Sequence, residues 1–539
     1  MTGVFQNQGR PMQRDDFSAA SMPVLPRSHA PLSLLTLLLT LALAMAGCST
    51  SGLKDDIERM PQAHALPPAT SGLLAEIAAD IAAEHGDDSS GFHILDSSHS
   101  GLYWRLALID SAVSSLDIQT YLWYPDVSGR LILERAVLAS QRGVKVRLIV
   151  DDLLLQGHDQ LIANLEAQPN IEFRIFNPWS DRAGLLNRAG EMLAQMERLN
   201  TRMHVKRLIA DGRAVVIGGR NIGDHYFGLN ETYNFHDTDL LGIGHIGAQS
   251  NVMFDKFWNS DWVVSAQNLT TEPDRAIARQ QWQAISESSA TAPQLERFPR
   301  KPKDWGAELK SQAADLHIGT SKLVYDEATR EIVDQSVIYN MFNFFRVAEK
   351  ELLVMNAYVI PGQQAIDFMQ DLTEKGVDVR ILTNSLSSHD VPAVNSHYEP
   401  WRDDLIEAGV ALFEFRSDPA IQQTVIDVPP VVAEFSGLHS KSAVADRRYV
   451  FVGSMNLDPR SAQINTEMGA FVDSPELAEE LAALILRDMS GENAWQVQID
   501  DAGEIFWRNN EETLTNQPAR DGLQRVMNVI MKVAPKEQF

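Results

Sequence analysis

Two histidines, two lysines and two asparagines recur in this chain at one fixed spacing. His204-Val-Lys206 is followed by Asp211, Gly218, Gly219 and Asn221, and His439-Ser-Lys441 by Asp446, Gly453, Ser454 and Asn456. Every gap is the same, so both copies read H-x-K-x4-D-x6-G-[GS]-x-N. On a strand, residues two apart share a face, so each His lies beside its Lys. One copy offers a small anion an imidazole, a cation and an amide donor. Two copies facing each other offer two of each, which suits a phosphodiester. One His attacks phosphorus and the other protonates the leaving oxygen. Lys206, Lys441, Asn221 and Asn456, with Gly219 and Ser454 beside them, hold the phosphate oxygens as charge builds up. Reading each His as a satisfied core residue leaves the repeated Lys and Asn without explanation.

The elements that must position these residues are legible as patterns. Leu208, Ile209 and Val215–Ile217 flank the first Asp, and Ala443, Val444 and Val450–Val452 flank the second. Each copy therefore reads as a buried strand, a turn at Asp211 or Asp446, and a second strand; the two aspartates read as braces. Upstream, helical spacing at 103–113, 129–141 and 160–167 alternates with strand patterns at 116–122, 144–150 and 171–176. That alternation predicts α/β halves with mostly parallel, mixed sheets flanked by helices. Arg142-Gly-Val-Lys-Val-Arg147 returns as Lys375-Gly-Val-Asp-Val-Arg380, and Leu165-Glu-Ala167 as Ile406-Glu-Ala408. A whole domain is duplicated, not a motif alone. The expected units are halves at 71–265 and 316–500, a polar connection at 266–315 and an extension at 501–539. Ser71 is placed to cap a helix to His85. In the extension, Leu523, Val526, Met527, Ile530 and Ala534 oppose Arg525, Asn528 and Lys532 in an amphipathic helix ending at Pro535. Its apolar side suits a membrane or the body of the protein. Leu185, Leu186, Met192, Leu193 and Met196 within 176–203 suit a wall for acyl chains or a plain core helix.

The duplicated H-x-K motif resembles the phospholipase D superfamily. The runs Ser115–Tyr124, Gly218–Gly223 and Pro392–Tyr398 resemble bacterial cardiolipin synthases, especially the C-type branch. The resemblance implies two similar halves about a pseudo-twofold axis with one active site between them. It implies metal-independent catalysis through a covalent phosphohistidine, with no cofactor. By analogy His204 is the nucleophile. An acid near each copy accepts a bond from the imidazole; Asp239 and Glu467 match that role, with Asp237 the rival in the first copy. The expected reaction is phosphatidyl transfer between phospholipids, with cardiolipin made from phosphatidylglycerol and phosphatidylethanolamine a further candidate substrate. A phospholipase D hydrolase is the alternative, ahead of a periplasmic nuclease or a non-catalytic lipid-binding lipoprotein.

Net charge is −26, whereas a nucleic-acid binder carries a basic stripe, so nucleic acid is not expected as a partner. Leu32–Ala44 is an apolar run too short to span a bilayer, preceded by Arg27 and followed by Met45-Ala46-Gly47-Cys48. That ending resembles a bacterial lipobox. Cys48 is the only cysteine, which excludes an internal disulfide and marks it for lipid attachment. The expected protein is a membrane-anchored lipoprotein facing the periplasm of a Gram-negative bacterium. Ser49 favours the outer membrane slightly over the inner. Met22 is an alternative start, and residues 49–70 read as a tether.

Overall fold

The computed structural model describes Leu53 and residues 62–180, 182, 190–192, 194–327 and 335–532. The apolar run, Cys48, Leu185, Leu186, Leu193, Ala534 and Pro535 lie outside the described residues.

One sheet of eighteen strands runs through both halves. At its centre Ser89–Leu95 pairs antiparallel with His317–Tyr325, with Ser89 opposite Thr320. Outward through the first half come strands Asp239–Gly244, Ala214–Gly218, Arg207–Ala210, Ser115–Thr120, Lys145–Asp151, Ile171–Phe176 and Val263–Ser265. Outward through the second half come Met468–Asp473, Tyr449–Gly453, Lys441–Ala445, Glu351–Asn356, Asp378–Asn384, Ala411–Phe415 and Ala494–Ile499. The order is the same on both sides, as a pseudo-twofold duplication requires.

The sheets are less parallel than the sequence predicts. Among the described residues of this large sheet, only Ser115–Thr120, Lys145–Asp151 and Ile171–Phe176, and their three counterparts, run parallel. The reason is connection length. Helices Val127–Gln141 and Asp159–Glu166 cross between the parallel strands, whereas Asp211–Arg213 is too short for anything but an antiparallel hairpin. Leu116, Ile118, Val146 and Leu148 are at most 1% exposed and share a core cluster with Leu106, Ile132 and Ala136. Each such side chain contributes about 1.5–3 kcal/mol by leaving water.

The structure adds detail to three of the expected segments. The first described helix is Leu73–His85, capped by Gly72 at φ 91 with no side-chain bond, so Ser71 stands one residue too early to cap it. Residues 266–315, read as a polar connection, fold onto the first half. Helix Arg275–Thr291 packs on helix Val127–Gln141, and Ile285, Leu295, Phe298, Trp305 and Leu309 join the first half's core. The C-terminal helix, Gly522–Met531, buries Gln524 and Asn528 and exposes its aliphatic residues. Asn528 thus faces the protein, not the solvent.

Candidate active site

The two motifs meet across the pseudo-twofold axis on paired extended segments. Phe435–Leu438, which leads into His439, pairs parallel with Tyr233–His236, which leads into Asp237. Met203, which precedes His204, bridges Thr466, which precedes Glu467. The amide of His439 donates to the His236 carbonyl (2.7 Å), and that of His204 to the Thr466 carbonyl (2.9 Å). Each histidine is thereby delivered beside an acid from the opposite half. His439 Nδ1 lies 2.7 Å from Asp237 Oδ2. His204 Nδ1 lies 3.0 Å from Glu467 Oε2 and 3.0 Å from the Ser454 carbonyl. With Nδ1 engaged, each ring presents Nε2 for chemistry.

Asp239 does not take the role expected of it. Its Oδ2 pairs with Arg105 at 2.7 Å and with Arg220 at 3.1 Å, and Asp237 stands against the imidazole instead. Sheet register gives the reason. Gly218 pairs with Asp239, and its counterpart Gly453 pairs with Gly469. Asp239 therefore corresponds to Gly469, and Asp237 to Glu467. Residues 457–466 make a shorter excursion than residues 222–236, which shifts the acids against a motif-based count.

Both lysines are buried and fold back on their own motifs. Lys206 Nζ donates to the His204 carbonyl at 2.6 Å, and Lys441 Nζ likewise to that of His439. Lys206 Nζ sits 5.1 Å from the Tyr121 ring centre and Lys441 Nζ 5.9 Å from that of Tyr358. Asn221 Oδ1 accepts from the Leu122 amide (3.1 Å), and its Nδ2 donates to Tyr226 Oη (2.8 Å). Asn456 is 5% exposed and its Oδ1 has no hydrogen-bond partner among the described residues. Ser454, expected on the phosphate, uses its hydroxyl otherwise: Oγ donates to Glu467 Oε2 (2.5 Å) and accepts from the Met468 amide (3.0 Å). At Gly219 a Cβ would lie 2.4 Å from Asp237 Oδ1, so this glycine makes room for that carboxylate. Asp211, at φ 57, accepts from the amides of Val113, Ser114 and Ser115; Asp446, at φ 52, accepts from those of Glu349, Lys350 and Glu351. Each carboxylate ties its motif hairpin to the start of the neighbouring parallel strand.

The site's electrostatics divide the two pairs. Burial, then Lys206, Lys441 and His439, hold the His204 imidazolium well below its usual range. Burial and Lys441 also lower His439, against the opposing pull of Asp237. Burial lowers both lysines, Lys206 strongly. Burial pushes Asp237 up, but His439, Lys441 and Arg220 outweigh it and keep the carboxyl below its ordinary range. Burial raises Glu467 to about 7 against the pull of Lys206. One imidazole faces a firm anion and the other a carboxyl poised near neutrality.

The motifs alone do not point to Tyr121, Tyr226, Tyr358 or Asp390. The Tyr121 ring lies 5.2 Å from that of His204, and the Tyr226 ring 5.2 Å from that of His439. Tyr358 Oη donates to Asp390 (2.8 Å). A signal exists for two of them: Tyr121 and Tyr358 each stand just past the first parallel strand of their half. Among the described residues, Asp96, His236 and Asp488 bring potential metal-ligand atoms within 4.8 Å of one another. Arg487 already donates to both carboxylates, at 2.9 Å to Asp96 and 2.8 Å to Asp488.

Residues 106–258 and 341–489 match the family model for the cardiolipin synthase, phospholipase D-like domain. The chain belongs to that family. The two matched segments each contain one motif copy. Among its relatives, cardiolipin synthase C of Escherichia coli K12 is 31% identical over 475 residues, covering 86% of this chain and 99% of that one. A cardiolipin synthase of Clostridium perfringens is 24% identical over 71% of this chain and 66% of its own length. The crystal structure of phosphatidylserine synthase from Haemophilus influenzae superposes with a TM-score of 0.51 at 16% identity, covering 74% of this chain and 86% of that one. That likeness shows the shared phospholipase D fold.

Proposed function

We propose that this protein moves a phosphatidyl group from one phospholipid to an alcohol of another, with cardiolipin made from phosphatidylglycerol as the favoured product. The observation that carries the reading is the pair of buried His–acid couples of unequal character in one site. His204, held neutral, is the nucleophile. Its Nε2 attacks phosphorus, and the bond from phosphorus to the headgroup oxygen breaks. His439, lowered less because the ionised Asp237 opposes burial and Lys441, acts in its protonated form and gives its Nε2 proton to that oxygen. The acceptor hydroxyl then gives its proton back to His439 and attacks phosphorus, breaking the P–N bond and freeing His204. Lys206, Lys441 and Asn456 face the phosphoryl oxygens.

Two apolar cavities favour a pair of lipids over one lipid and water. One, of about 280 Å³, is lined by Trp123, Leu133, Leu161 and Phe173. The other, of about 390 Å³, is lined by Phe342, Ile360, Met369 and Leu457. Trp123 bridges Ile222, next to Asn221, and Val359 bridges Leu457, next to Asn456. Each cavity shares a lining residue with such a bridge, Trp123 in the first half and Val359 and Leu457 in the second, and in this reading the two cavities take the donor and acceptor tails. Purified protein given labelled phosphatidylglycerol, with and without phosphatidylethanolamine, tests the reading. Cardiolipin with released glycerol is the expected outcome; phosphatidic acid alone makes the protein a hydrolase. The likeness to cardiolipin synthases and the net charge of −26 disfavour a nuclease. Cys48 we assign to lipid attachment at the periplasmic face of a Gram-negative membrane, the outer one favoured. Cys48→Ala should leave an unprocessed or soluble chain. Full membrane attachment of that variant, cleaved at the same bond, would overturn the assignment.

A further inference from the structure

Helix Gly522–Met531 is mounted the wrong way round for a soluble protein. Its buried residues are Gln524 and Asn528, whereas Leu523, Val526, Val529 and Ile530 are 69%, 55%, 63% and 54% exposed. An ordinary surface helix buries its aliphatic stripe and shows its polar one. The inversion is held by hydrogen bonds. Gln524 Nε2 donates to the Leu386 carbonyl (2.5 Å). Asn528 accepts from Asn395 Nδ2 (2.8 Å) and donates to Glu399 (3.0 Å). Asp521 caps the first turn through the Gln524 amide (2.7 Å). Polar side chains fix the helix to the body while four large aliphatic ones stay outside. None of the described residues buries them.

The charge around this stripe says what covers it. Residues 520–532 carry Arg520, Arg525 and Lys532 against the single acid Asp521, in a chain whose net charge is −26. Lys532 pairs with Glu399 at 3.0 Å and Arg520 lies 3.7 Å from the centre of the Phe435 ring, while Arg525 is exposed beside Val526. An aliphatic face flanked by an exposed arginine, on a basic segment of an otherwise acidic molecule, suits an anionic bilayer surface. The helix is also wired to the site. Arg520 donates to the Ser387 carbonyl (2.6 Å), and Gln524 holds Leu386. The same loop ends at Asp390, which accepts from Tyr358 Oη beneath Lys441.

We propose that the outward face of helix Gly522–Met531 docks in the headgroup region of an anionic bilayer and sets the rim of the site against the lipid. This docking extends the transfer reading but does not depend on it. The full chain should be compared with a variant carrying L523S, V526S, V529S and I530S on vesicles of phosphatidylglycerol and phosphatidylcholine. Binding to phosphatidylglycerol vesicles should fall at least tenfold. Turnover of a soluble p-nitrophenyl phosphodiester should stay unchanged, so a docking failure is distinguishable from a failed active site. An attached lipid on Cys48 can mask that loss, so a second measurement places an environment-sensitive fluorophore on Val526→Cys. Its emission should shift to the blue with phosphatidylglycerol vesicles, beyond the background of the labelled parent. The same label on Val252→Cys, 63% exposed elsewhere, should not shift. Equal responses at both positions would overturn the proposal. So would a dimer in solution that the four serines dissolve, since a second copy would then be what covers the face.

Discussion

The first motif sets a glycine against an aspartate, and the second sets a serine against a glutamate. Gly219 and Ser454 occupy the same motif position, and Asp237 and Glu467 the same sheet position. At Gly219 an added Cβ would meet the Asp237 carboxylate at 2.4 Å. At Ser454 the Cβ is present, and its hydroxyl bonds the Glu467 carboxylate at 2.5 Å. Glutamate's extra methylene carries its carboxylate past the serine; aspartate's shorter arm needs the glycine. Each half thus has a matched pair of residues, and each pair serves the histidine of the other half. The consequence is chemical. Asp237 gives Oδ2 to His439 and Oδ1 to the Thr238 amide and is held below its ordinary range, while Glu467 divides Oε2 between His204 and Ser454 and rises to about 7.

The largest expected effects separate the two histidines. General acid–base help is worth about 10²–10⁴-fold, and a covalent nucleophile is less dispensable still. His204→Ala should lose turnover and covalent labelling together. His439→Ala should be almost inactive on phospholipid but should still form the intermediate from a p-nitrophenyl phosphodiester, whose leaving group needs little protonation. Trapping that substrate and locating the labelled histidine reads the roles directly. A label on His439 alone would reverse them.

The acids come next. Asp237→Asn removes a firm charge from an imidazolium that must hold a proton, and should cost about 10²-fold in kcat. Glu467→Gln should cost about tenfold, because Glu467 is already partly protonated at pH 7 and a neutral amide still holds the ring. Equal losses would mean that the halves are electrostatically alike.

Smaller, and more diagnostic of the matched pairs, is Gly219→Ser. Alone it drives a Cβ into the Asp237 carboxylate and should lower kcat towards the level of Asp237→Asn. With Asp237→Glu added, the first half copies the second, and activity should recover several-fold. A double-mutant cycle on kcat measures that coupling; additive losses would show that the pairs are not matched.

How much of this was legible in the sequence follows from where the information sits. The histidines, lysines and asparagines repeat at rigid spacing inside one hairpin, so counting residues finds them. Asp211 and Asp446 lie in the same hairpin and are found the same way. The acid that faces His439 sits beyond an excursion of variable length, so proximity in the chain favours Asp239 no less than Asp237. Only the pairing of Gly218 with Asp239 and of Gly453 with Gly469 resolves it. Parallel strands were overestimated because periodicity shows that strands exist, while direction depends on the length of what joins them. The inverted C-terminal helix shows a related limit. Its amphipathic pattern is plain in the sequence, but which face turns inward depends on partners such as Leu386 and Glu399, remote in the chain.

The smallest expected effect concerns stability, and its sign follows from Glu467. Its carboxyl has a folded-state value of about 7 against an ordinary value of 4.5. Between those values the folded protein binds a proton that the unfolded chain has released. The raised value therefore adds stability that is full below about pH 4.5 and is lost as pH rises towards 7. A shift of that size is on the order of 3 kcal/mol. Glutamine cannot titrate, so Glu467→Gln should lack this dependence. The difference in unfolding free energy, wild type minus variant, should fall as pH rises from 4.5 to 7 and level off above. Asp237→Asn should give the opposite slope in a lower window, because a carboxyl held below its ordinary value of 3.8 adds stability that is complete above that value and is lost as pH falls below it. Urea titrations of the three proteins from below pH 3.8 to above pH 7 measure both slopes, that of Asp237 at the acid end and that of Glu467 between 4.5 and 7. Parallel curves for the two variants would mean that Asp237 and Glu467 share one protonation behaviour, and the division of labour between the halves would then need another cause.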